Sequence, residues 1–351
     1  MTGEPLPPAA RAEHLTEALR RSGVIGDARV HEVVVESARP TILSRIIRLR
    51  LIYDGAAPDA PASIIIKTAL PERPARGRAE VAFYNEVAAA MSARLVPRCF
   101  EAHWDAETEA WHLVLEDLSD THFIATVWPL PPTMEQCQAI IDTRAYFHAA
   151  WWDDPRLGTS VGKWDDAEAL DIFLQNLAER FARFFDHIGD GLPRERRVLY
   201  EQLLGAAPRL LARYTSHRHL TIVQGDAHVW NTFLPRDGGG DVRFFDWDGW
   251  RIDTATDDLA YMMAVHWYPD RRRRIERPLL DRYYTKLVAH RVCGYDPAAL
   301  EDDYRHSVLW QMITPAWQAI NNIPPVIWWN NLERVLLAVD DLGCRDLDLL
   351  T

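Results

Sequence analysis

Short runs rich in β-branched residues occupy the first third of the chain, and this composition is typical of β-strands. The runs cover residues 30–36, 42–53 and 62–69. Because short turns separate them, they predict an antiparallel meander of three strands. Apolar residues then recur at helical spacing over 76–94, where Pro97 closes the segment, and two more strands are predicted at 98–104 and 111–115. The expected order is strand, strand, strand, helix, strand, strand.

Beyond Asp117 the apolar residues take the spacing of amphipathic helices. This spacing predicts helices at 134–152, 165–187, 194–214, 270–292, 297–318 and 325–341. Residues 220–248 interrupt the helices with a short strand-loop-strand segment. The pattern predicts an α+β protein with two lobes: an N-terminal lobe over 1–118, built on an antiparallel sheet with one helix, and a mostly helical C-terminal lobe over 119–351.

Length and charge narrow the classes of function. At roughly 150 residues per domain, a chain of 351 residues is long enough for two lobes with a buried core. Its 51 acidic and 39 basic residues give a net charge of −12, whereas a protein that binds duplex nucleic acid normally presents a positive surface to the phosphates. We therefore expect a folded protein without a nucleic-acid partner.

Cysteine usage and the N-terminal residues indicate a compartment. The four cysteines are widely separated and form no CxxC pair, so neither a disulfide framework nor a thiolate zinc site is indicated. The N-terminal residues carry charges of both signs without an apolar stretch, and no run of about 18 apolar residues occurs. We expect a cytoplasmic protein without a membrane partner. Nothing in the sequence indicates an oligomeric state.

One segment carries a set of residues suited to phosphoryl transfer. Asp226 is followed five positions later by Asn231, and Asp246 ends the apolar strand VRFFD. In phosphoryl transfer a carboxylate orients the attacking hydroxyl and accepts its proton, while an amide oxygen and a second carboxylate hold Mg²⁺ on the nucleotide phosphates. The step from Asp226 to Asn231 equals that of the kinase catalytic loop HRDxxxxN, and Asp246 takes the place of the metal-binding Asp of DFG.

This segment resembles the signature of the aminoglycoside phosphotransferase and choline kinase-like superfamily of small-molecule kinases, HGDxxxxN followed by a strand that ends in Asp. Here the signature reads QGDAHVWN over 224–231. Further matches follow the same order along most of the chain: Lys67 in the third strand, Glu80 in EVAFYNEV, then LVLEDLS, YFHAAWW and DDLAYMM. The resemblance implies a bilobal protein-kinase-like fold that binds ATP or GTP with Mg²⁺ between its lobes. It also implies transfer of the γ-phosphoryl group to a hydroxyl of a small molecule.

The resemblance further implies roles for individual residues. Asp226 would be the catalytic base, Asn231 and Asp246 the Mg²⁺ ligands, and Lys67 with Glu80 the clamp on the α and β phosphates. The residues themselves support the clamp, because Lys67 is the one charge in the apolar run ASIIIKTAL. A buried ammonium needs an anionic partner.

Contacts to the rest of the nucleotide also follow from the resemblance. The backbone from Glu116 to Leu118, in LVLEDL, would form the hinge that binds the purine. The first hairpin has no GxGxxG sequence, so phosphate contacts there would fall to Ser44, Thr41 or main-chain amides.

Two departures from the superfamily pattern leave alternatives open. Gln224 stands where the superfamily has His, and an amide can hydrogen-bond but cannot carry a proton charge. With the missing glycine-rich loop, this would fit a catalytically impaired nucleotide-binding homologue. Alternatively, a metal-dependent hydrolase could use the same carboxylates, Asp226 and Asp246, without ATP. Together with His228 and Asp248 these carboxylates could also form a transition-metal site, although the spacing is a weak zinc signal. His148 is expected to hold the catalytic loop rather than act as a base.

Tryptophans and carboxylates suggest an acceptor. All but two of the 14 tryptophans follow residue 118, and Trp247 and Trp250 flank Asp248. Aromatic faces beside carboxylates recognise amines, although most tryptophans fill cores or interfaces. Further carboxylates lie nearby in the sequence at Asp246, Asp253, Asp257 and Asp258. We therefore predict that Asp248, Trp247 and Trp250 contact an amine-bearing acceptor, such as an amino alcohol, an aminoglycoside or another amine-bearing antibiotic.

Overall fold

The computed structural model describes residues 6–41, 44–70 and 77–347. The strands are β1 (Arg29–Pro40), β2 (Ser44–Asp54), β3 (Ser63–Ala69), β4 (Cys99–Trp104), β5 (Trp111–Glu116), β6 (His122–Ile124), β7 (Thr221–Val223), β8 (Thr232–Pro235), β9 (Arg243–Phe244) and β10 (Arg251–Asp253). The α-helices are α1 (Ala12–Arg21), α2 (Arg78–Ala82), α3 (Met134–Ala150), α4 (Ala167–Ile188), α5 (Arg194–Ala212), α6 (Thr256–Ala260), α7 (Pro269–Ala289), α8 (Pro297–Trp310), α9 (Ile313–Ile320) and α10 (Pro325–Asp341). Two helices continue directly into a π-helical turn: α2 into Phe83–Val87 and α6 into Tyr261–Val265.

The chain divides into two compact units, and both are discontinuous in sequence. The first unit contains the residues up to 125 together with 231–250, and the second contains 126–230 together with 251–351. Strands β8 and β9 therefore belong to the first unit, where β8 pairs with β6.

A five-stranded antiparallel sheet in the order β1-β2-β3-β5-β4 forms most of the first unit. It confirms the predicted meander, although residues 42–43 of the second predicted run lie outside the described residues. Strand β1 extends beyond the predicted run to Pro40, because its exposed final residues pair with β2 as far as Arg45 and show no apolar alternation. The predicted helix over 76–94 is present as helical residues 78–90; its residue 76 lies outside the described residues.

Buried and more exposed side chains alternate along β2 and β3, so one face of the sheet packs into a hydrophobic core. Apolar side chains two residues apart on these strands are fully or almost fully buried: Ile47, Leu49 and Leu51 in β2, and Ile64 and Ile66 in β3. Helix α1 covers this face with Leu15 and Leu19. No element was predicted at α1, because its ten residues bury only four side chains and otherwise carry charges of both signs.

Helices make up most of the second unit, where α3 packs against α7 and α10 packs against α9. The predicted helices are present, but the single helix expected over 297–318 is divided into α8 and α9. Pro315 explains the break, since its ring has no N–H and would clash with the carbonyl of Gln311 in a continuous helix. None of the helices in the described part of the chain is both long enough and apolar enough to cross a membrane.

Candidate functional site

A buried lysine and two carboxylates form the central cluster of the first unit. The Nζ atom of Lys67 lies 2.6 Å from Oε2 of Glu80 and 2.6 Å from Oδ1 of Asp246. The Lys67 and Glu80 side chains are 10% and 2% exposed, whereas that of Asp246 is 38% exposed. The predicted pairing of Lys67 with Glu80 is therefore present, and Asp246 is the member of the cluster that is most exposed to solvent.

The local fold explains why these side chains meet. Lys67 lies on the sheet face opposite Ile64 and Ile66, because side chains alternate along β3. Glu80 sits in the first turn of α2, which begins after Gly77. A Cβ atom on Gly77 would lie 2.1 Å from the ring of Trp111. The backbone φ of Gly77 is 148°, an angle that glycine adopts readily and other residues do not. Only glycine thus allows α2 to begin at this point and to present Glu80 to Lys67.

Asp246 follows β9 with a backbone φ of 66°. Asp tolerates this left-handed conformation better than most residues, although it carries a small energetic cost. Burial opposes the charged form of Lys67, but the neighbouring carboxylates of Asp246 and Glu80 outweigh it and raise the pKa of Lys67 above its ordinary value. The ammonium is therefore charged at neutral pH and can stabilise an anionic ligand.

The hairpin of β8 and β9 brings the two predicted metal ligands to one end. Thr232 pairs with Phe244, and the Phe245 amide donates to the carbonyl of Asn231 at 3.1 Å. Asn231 and Asp246 therefore flank the same end of the hairpin. Their amide and carboxylate oxygens are the hard ligands that Mg²⁺ prefers, so this donor set fits the metal implied by the sequence.

The two tryptophans after Asp246 contact α2 and the π-helical turn that follows it, within the first unit. The Trp247 ring is fully buried and stacks on Phe83, with ring centroids 3.9 Å apart. The Trp250 indole donates a 2.6 Å hydrogen bond to the carbonyl of Ala79. This corrects the expectation for Trp247, because a ring enclosed in the core presents no face to a bound amine. Asp248 and Trp250 are partly exposed.

The other predicted nucleotide contacts also lie in the first unit. Ser44 is buried, and its hydroxyl is 3.0 Å from the hydroxyl of Thr41 across the first hairpin. Glu116 ends β5 and its amide donates to the carbonyl of Arg98 at 2.8 Å. The Leu118 carbonyl accepts the amide of His122 at 2.8 Å, so this oxygen is engaged in the turn that follows β5.

Asp226 belongs to the second unit, in the loop after β7. Its Oδ1 atom accepts a 2.5 Å hydrogen bond from the hydroxyl of Tyr261, and its Oδ2 lies 3.5 Å from Nε2 of His228. The carboxylate remains 33% exposed. Tyr261 opens the π-helical turn after α6, a type of distortion that is frequent at functional sites.

A fully buried carboxylate, Asp258, holds the start of this loop. Oδ2 of Asp258 accepts the Gln224 amide at 3.0 Å, and its Oδ1 accepts the Gly225 amide at 2.9 Å. The Arg144 guanidinium donates to Oδ2 at 2.5 Å, and Nε2–H of His148 donates to it at 3.2 Å. Burial alone would raise the pKa of Asp258, but these partners lower it well below its usual range. Asp258 therefore fixes the two residues that precede Asp226.

His148 and Gln224 complete this support. Nδ1 of His148 accepts a hydrogen bond from the Tyr283 hydroxyl at 2.7 Å, and burial lowers the pKa of His148, so the ring stays neutral. His148 thus acts on the loop through Asp258. Oε1 of Gln224 accepts from Arg144 at 3.0 Å. The amide that replaces the superfamily His is accordingly bound within the same network.

The prediction of an amine-bearing acceptor rested partly on a group of carboxylates, and most of these carboxylates form ion pairs with basic side chains. Asp246 contacts Lys67, and Asp258 contacts Arg144. Arg251 pairs with both Asp253 and Asp257. The charge that these residues suggest in the sequence is therefore largely neutralised in the structure.

The sequence predicts no role for Tyr261 or Arg144, and Asp258 is predicted only as one of the carboxylates near the acceptor. Asp258 and Tyr261 lie in DDLAYMM, a segment that matches the superfamily. Acidic and aromatic residues in an otherwise apolar helix were the signal that could have identified them, since buried polar groups require partners. Arg144 lies 114 residues from Asp258, and no local pattern links the two.

Comparisons with known proteins agree with this fold. The sequence matches the Ecdysteroid kinase-like family over residues 41–293. Among solved structures, the chain is similar to an ethanolamine kinase from Plasmodium vivax, with 9% identity, a TM-score of 0.54, and coverage of 88% of this chain and 81% of that one. It is also similar to the GDP complex of a point mutant of an aminoglycoside 2′-phosphotransferase of type IIIa, with 10% identity, a TM-score of 0.53, and coverage of 97% of this chain and 100% of that one.

A third similar structure is an aminoglycoside phosphotransferase from Streptomyces rimosus in complex with ADP and streptomycin. It has 17% identity, a TM-score of 0.49, and coverage of 86% of this chain and 97% of that one. A comparison with curated proteins finds no significant match.

At such low identities the solved structures establish the fold, an α+β kinase-like arrangement with an antiparallel sheet followed by a mostly helical region. The family match is independent of them and spans Lys67, Glu80, Asp226, Asn231 and Asp246. The chain therefore belongs to the Ecdysteroid kinase-like family, within the superfamily of aminoglycoside phosphotransferase and choline kinase-like small-molecule kinases.

Proposed function

We propose that this protein transfers the γ-phosphoryl group of ATP or GTP to a hydroxyl group of a small molecule. The observation that carries the proposal is the buried cluster of Lys67, Glu80 and Asp246, in which one ammonium lies 2.6 Å from each of two carboxylates. Burying an ammonium is costly unless it is paired. A cluster of this kind, with one carboxylate still open to solvent, is suited to hold the phosphates of a metal-bound nucleotide.

In this proposal the first unit supplies the nucleotide contacts. Lys67 stabilises the negative charge of the phosphates, and Glu80 fixes the position of the ammonium. Asn231 and Asp246 would hold Mg²⁺, which neutralises charge on the phosphate oxygens during transfer. Ser44 and the backbone from Glu116 to Leu118 would contact the phosphates and the purine.

The second unit supplies the base. Asp226 orients the acceptor hydroxyl and takes its proton as the oxygen attacks the γ-phosphorus. Tyr261 and the amides held by Asp258 restrict the position of the Asp226 loop. Because little covalent chemistry is required of the protein, positioning and charge neutralisation provide most of the rate enhancement.

The support around Gln224 favours an active kinase over an impaired one. Gln224 is tied to Arg144 through its side chain and to Asp258 through its amide. These bonds hold the loop without the imidazole found elsewhere in the superfamily. The glutamine therefore does not by itself remove the base or release the loop.

Two acceptor classes are proposed for test. An amine-bearing alcohol is the class predicted from the sequence, with Asp248 and Trp250 as its contacts. The pairing of the neighbouring carboxylates with Lys67, Arg144 and Arg251 lowers the charge that supports this class. The family description names ecdysteroids, which are polyhydroxylated steroids, and so supports a neutral acceptor.

The first experiment separates the kinase from both alternatives. Thermal unfolding is measured with ATP, GTP and Mg²⁺, and ADP or GDP release is then measured with a panel of hydroxylated amines, neutral sugars and polyhydroxylated steroids. A kinase shows a Mg²⁺-dependent rise in Tm and acceptor-dependent release. Nucleotide binding without release across the panel supports the impaired homologue. No effect of nucleotide on Tm contradicts any kinase-like function and leaves the hydrolase.

Two substitutions then test the assigned roles. Asp226→Asn should lower turnover while nucleotide affinity stays nearly unchanged, because the base acts on the acceptor. Asp246→Asn should weaken Mg²⁺-nucleotide binding itself. If both variants keep the turnover of the unmodified protein, the proposed site is wrong.

A further inference from the structure

Two histidines and a glutamate form a second cluster in the first unit. His14 comes from α1, Glu101 from β4 and His112 from β5. Both imidazole Nε2 atoms converge on one oxygen of Glu101, at 2.6 Å from His14 and 3.1 Å from His112. Phosphoryl transfer as proposed above makes no use of these residues.

The strand register places this cluster on the sheet face opposite Lys67. His112 pairs with Thr68, whereas Lys67 pairs with Leu113, and neighbouring residues of a strand point to opposite faces. Val114 lies two residues after His112 and belongs to the core under α1. The cluster is therefore on the α1 face and is separate from the residues assigned to the nucleotide.

Arg21 fixes the carboxylate from its other side. Its guanidinium lies 2.5 Å from Oε1 of Glu101, so that Oε2 faces the two imidazoles. An outer partner that orients a ligand in this way is typical of metal sites. The side chains of Glu101 and His112 are 14% and 13% exposed, while that of His14 is 30% exposed. The cluster is thus largely desolvated and remains open to solvent at His14.

The ligand atoms of all three residues lie within 4.8 Å of one another. Zn²⁺ binds imidazole nitrogen and carboxylate oxygen at about 2.0–2.2 Å, so tetrahedral ligands lie about 3.3–3.5 Å apart. The present separations of 2.6 Å and 3.1 Å reach this spacing by shifts below about 1 Å. Imidazole ligands also favour Zn²⁺ over Mg²⁺, which prefers oxygen.

We propose that His14, Glu101 and His112 bind a divalent transition-metal ion of the Zn²⁺ type, with water in the fourth position. The ion would tie α1 to β4 and β5. Each imidazole would bind through an unprotonated Nε2, with the single proton of the neutral ring on Nδ1.

The test uses chelator-treated full-length protein without Mg²⁺ or nucleotide. ZnCl₂ is titrated by calorimetry, and CoCl₂ is titrated for the visible ligand-field absorption of a tetrahedral nitrogen and oxygen site. We expect one ion per chain and a rise in Tm with Zn²⁺. His14→Ala and His112→Ala should each weaken Zn²⁺ binding by roughly tenfold or more.

Matched controls separate this site from other metal-binding groups. His31→Ala removes an exposed histidine of β1, and Asp246→Asn removes a carboxylate of the nucleotide cluster; both should bind Zn²⁺ like the unmodified protein. Because His14→Ala could loosen α1, Glu101→Gln provides a variant of nearly equal volume, with circular dichroism as the check on folding. The proposal is overturned if the unmodified protein does not bind Zn²⁺. Unchanged affinity in both His112→Ala and Glu101→Gln, or loss of the site in either control, overturns it as well.

Discussion

The hydroxyl of Tyr261 donates a 2.5 Å hydrogen bond to Oδ1 of Asp226. Both residues lie in the second unit, and Tyr261 is itself held at the start of a π-helical turn. A carboxylate that must accept a proton from an acceptor hydroxyl needs a fixed orientation, and this bond provides it. Tyr261 is therefore a positioning residue for the proposed base.

Tyr261→Phe should lower turnover with little change in nucleotide affinity. A hydrogen bond to a charged group is worth about 1.5–3 kcal/mol, which corresponds to roughly tenfold to a hundredfold in kcat. Release of ADP with a reactive acceptor measures the effect. Tyr304→Phe is the matched control, because Tyr304 also donates to a buried carboxylate, Glu276, at 2.6 Å. Equal turnover losses in both variants would mean that the effect is only structural.

The buried pair of Lys67 and Glu80 should show strong coupling in a double-mutant cycle. Lys67→Met leaves Glu80 buried without its cation, and removal of one partner from a buried pair costs about 3–5 kcal/mol. Glu80→Gln in the same chain removes the unpaired charge, so the double variant should recover part of the lost stability. Urea unfolding of the two single variants and the double variant measures the coupling. Additive losses would contradict the pairing.

The pair of Lys67 and Glu80 could be predicted because each residue stands out from its own surroundings. Lys67 interrupts an apolar strand, and Glu80 lies in the next helix at the spacing expected from the superfamily. The strands and most helices were predictable for a similar reason, since periodicity reports which face of an element is buried.

Partners distant in sequence could not be predicted in this way. The residues around Asp258 and Trp247 in the sequence do not identify Arg144 or Phe83 as their neighbours. The charge suggested by the acidic residues after Asp246 was overestimated for this reason. Residues 231–250 pack with the N-terminal residues of the first unit, and the local sequence does not indicate this tertiary relationship either.

Asp258→Asn should destabilise the second unit and lower turnover. The asparagine amide would face donors where the carboxylate now accepts from Arg144, His148, Gln224 and Gly225. An uncompensated buried Arg144 costs about 3–5 kcal/mol, and the amides before Asp226 lose their acceptor. Urea unfolding at pH 7 measures the loss. Asp171→Asn, an exposed carboxylate on α4, is the control and should be nearly neutral.

We also expect the stability difference between the unmodified protein and Asp258→Asn to depend on pH. The pKa of Asp258 is lowered in the folded state, so its stabilising contribution is present above the unfolded pKa of about 3.9 and is lost as the pH falls below it. The stability difference between the unmodified protein and Asp258→Asn should therefore be constant from pH 7 to 5 and narrow below about pH 4. A difference that stays constant to pH 3 would show that Asp258 is not the group that titrates.

His266 should make the protein sensitive to a milder fall in pH. Burial, together with the neighbouring His228, lowers the pKa of His266 to about 3, while its Nδ1–H donates to the carbonyl of Tyr261 at 2.8 Å. Below about pH 6.5 the His266 side chain is protonated in the unfolded chain but stays neutral in the folded state. The free energy of unfolding should therefore fall between pH 6.5 and 3, by about 3 kcal/mol at pH 4. His266→Asn keeps a donor for the Tyr261 carbonyl and removes this titration.

The measurement is the urea midpoint at several pH values between 7 and 4. His266→Asn should flatten the decline without abolishing it, because the pKa of the buried His148 is also lowered. His187→Asn replaces an exposed histidine on α4 and should leave the decline unchanged. If His266→Asn and His187→Asn both keep the slope of the unmodified protein, the proton is taken up elsewhere. A flatter slope in His266→Asn alone would link acid unfolding to the helix turn that carries Tyr261, and hence to the position of Asp226.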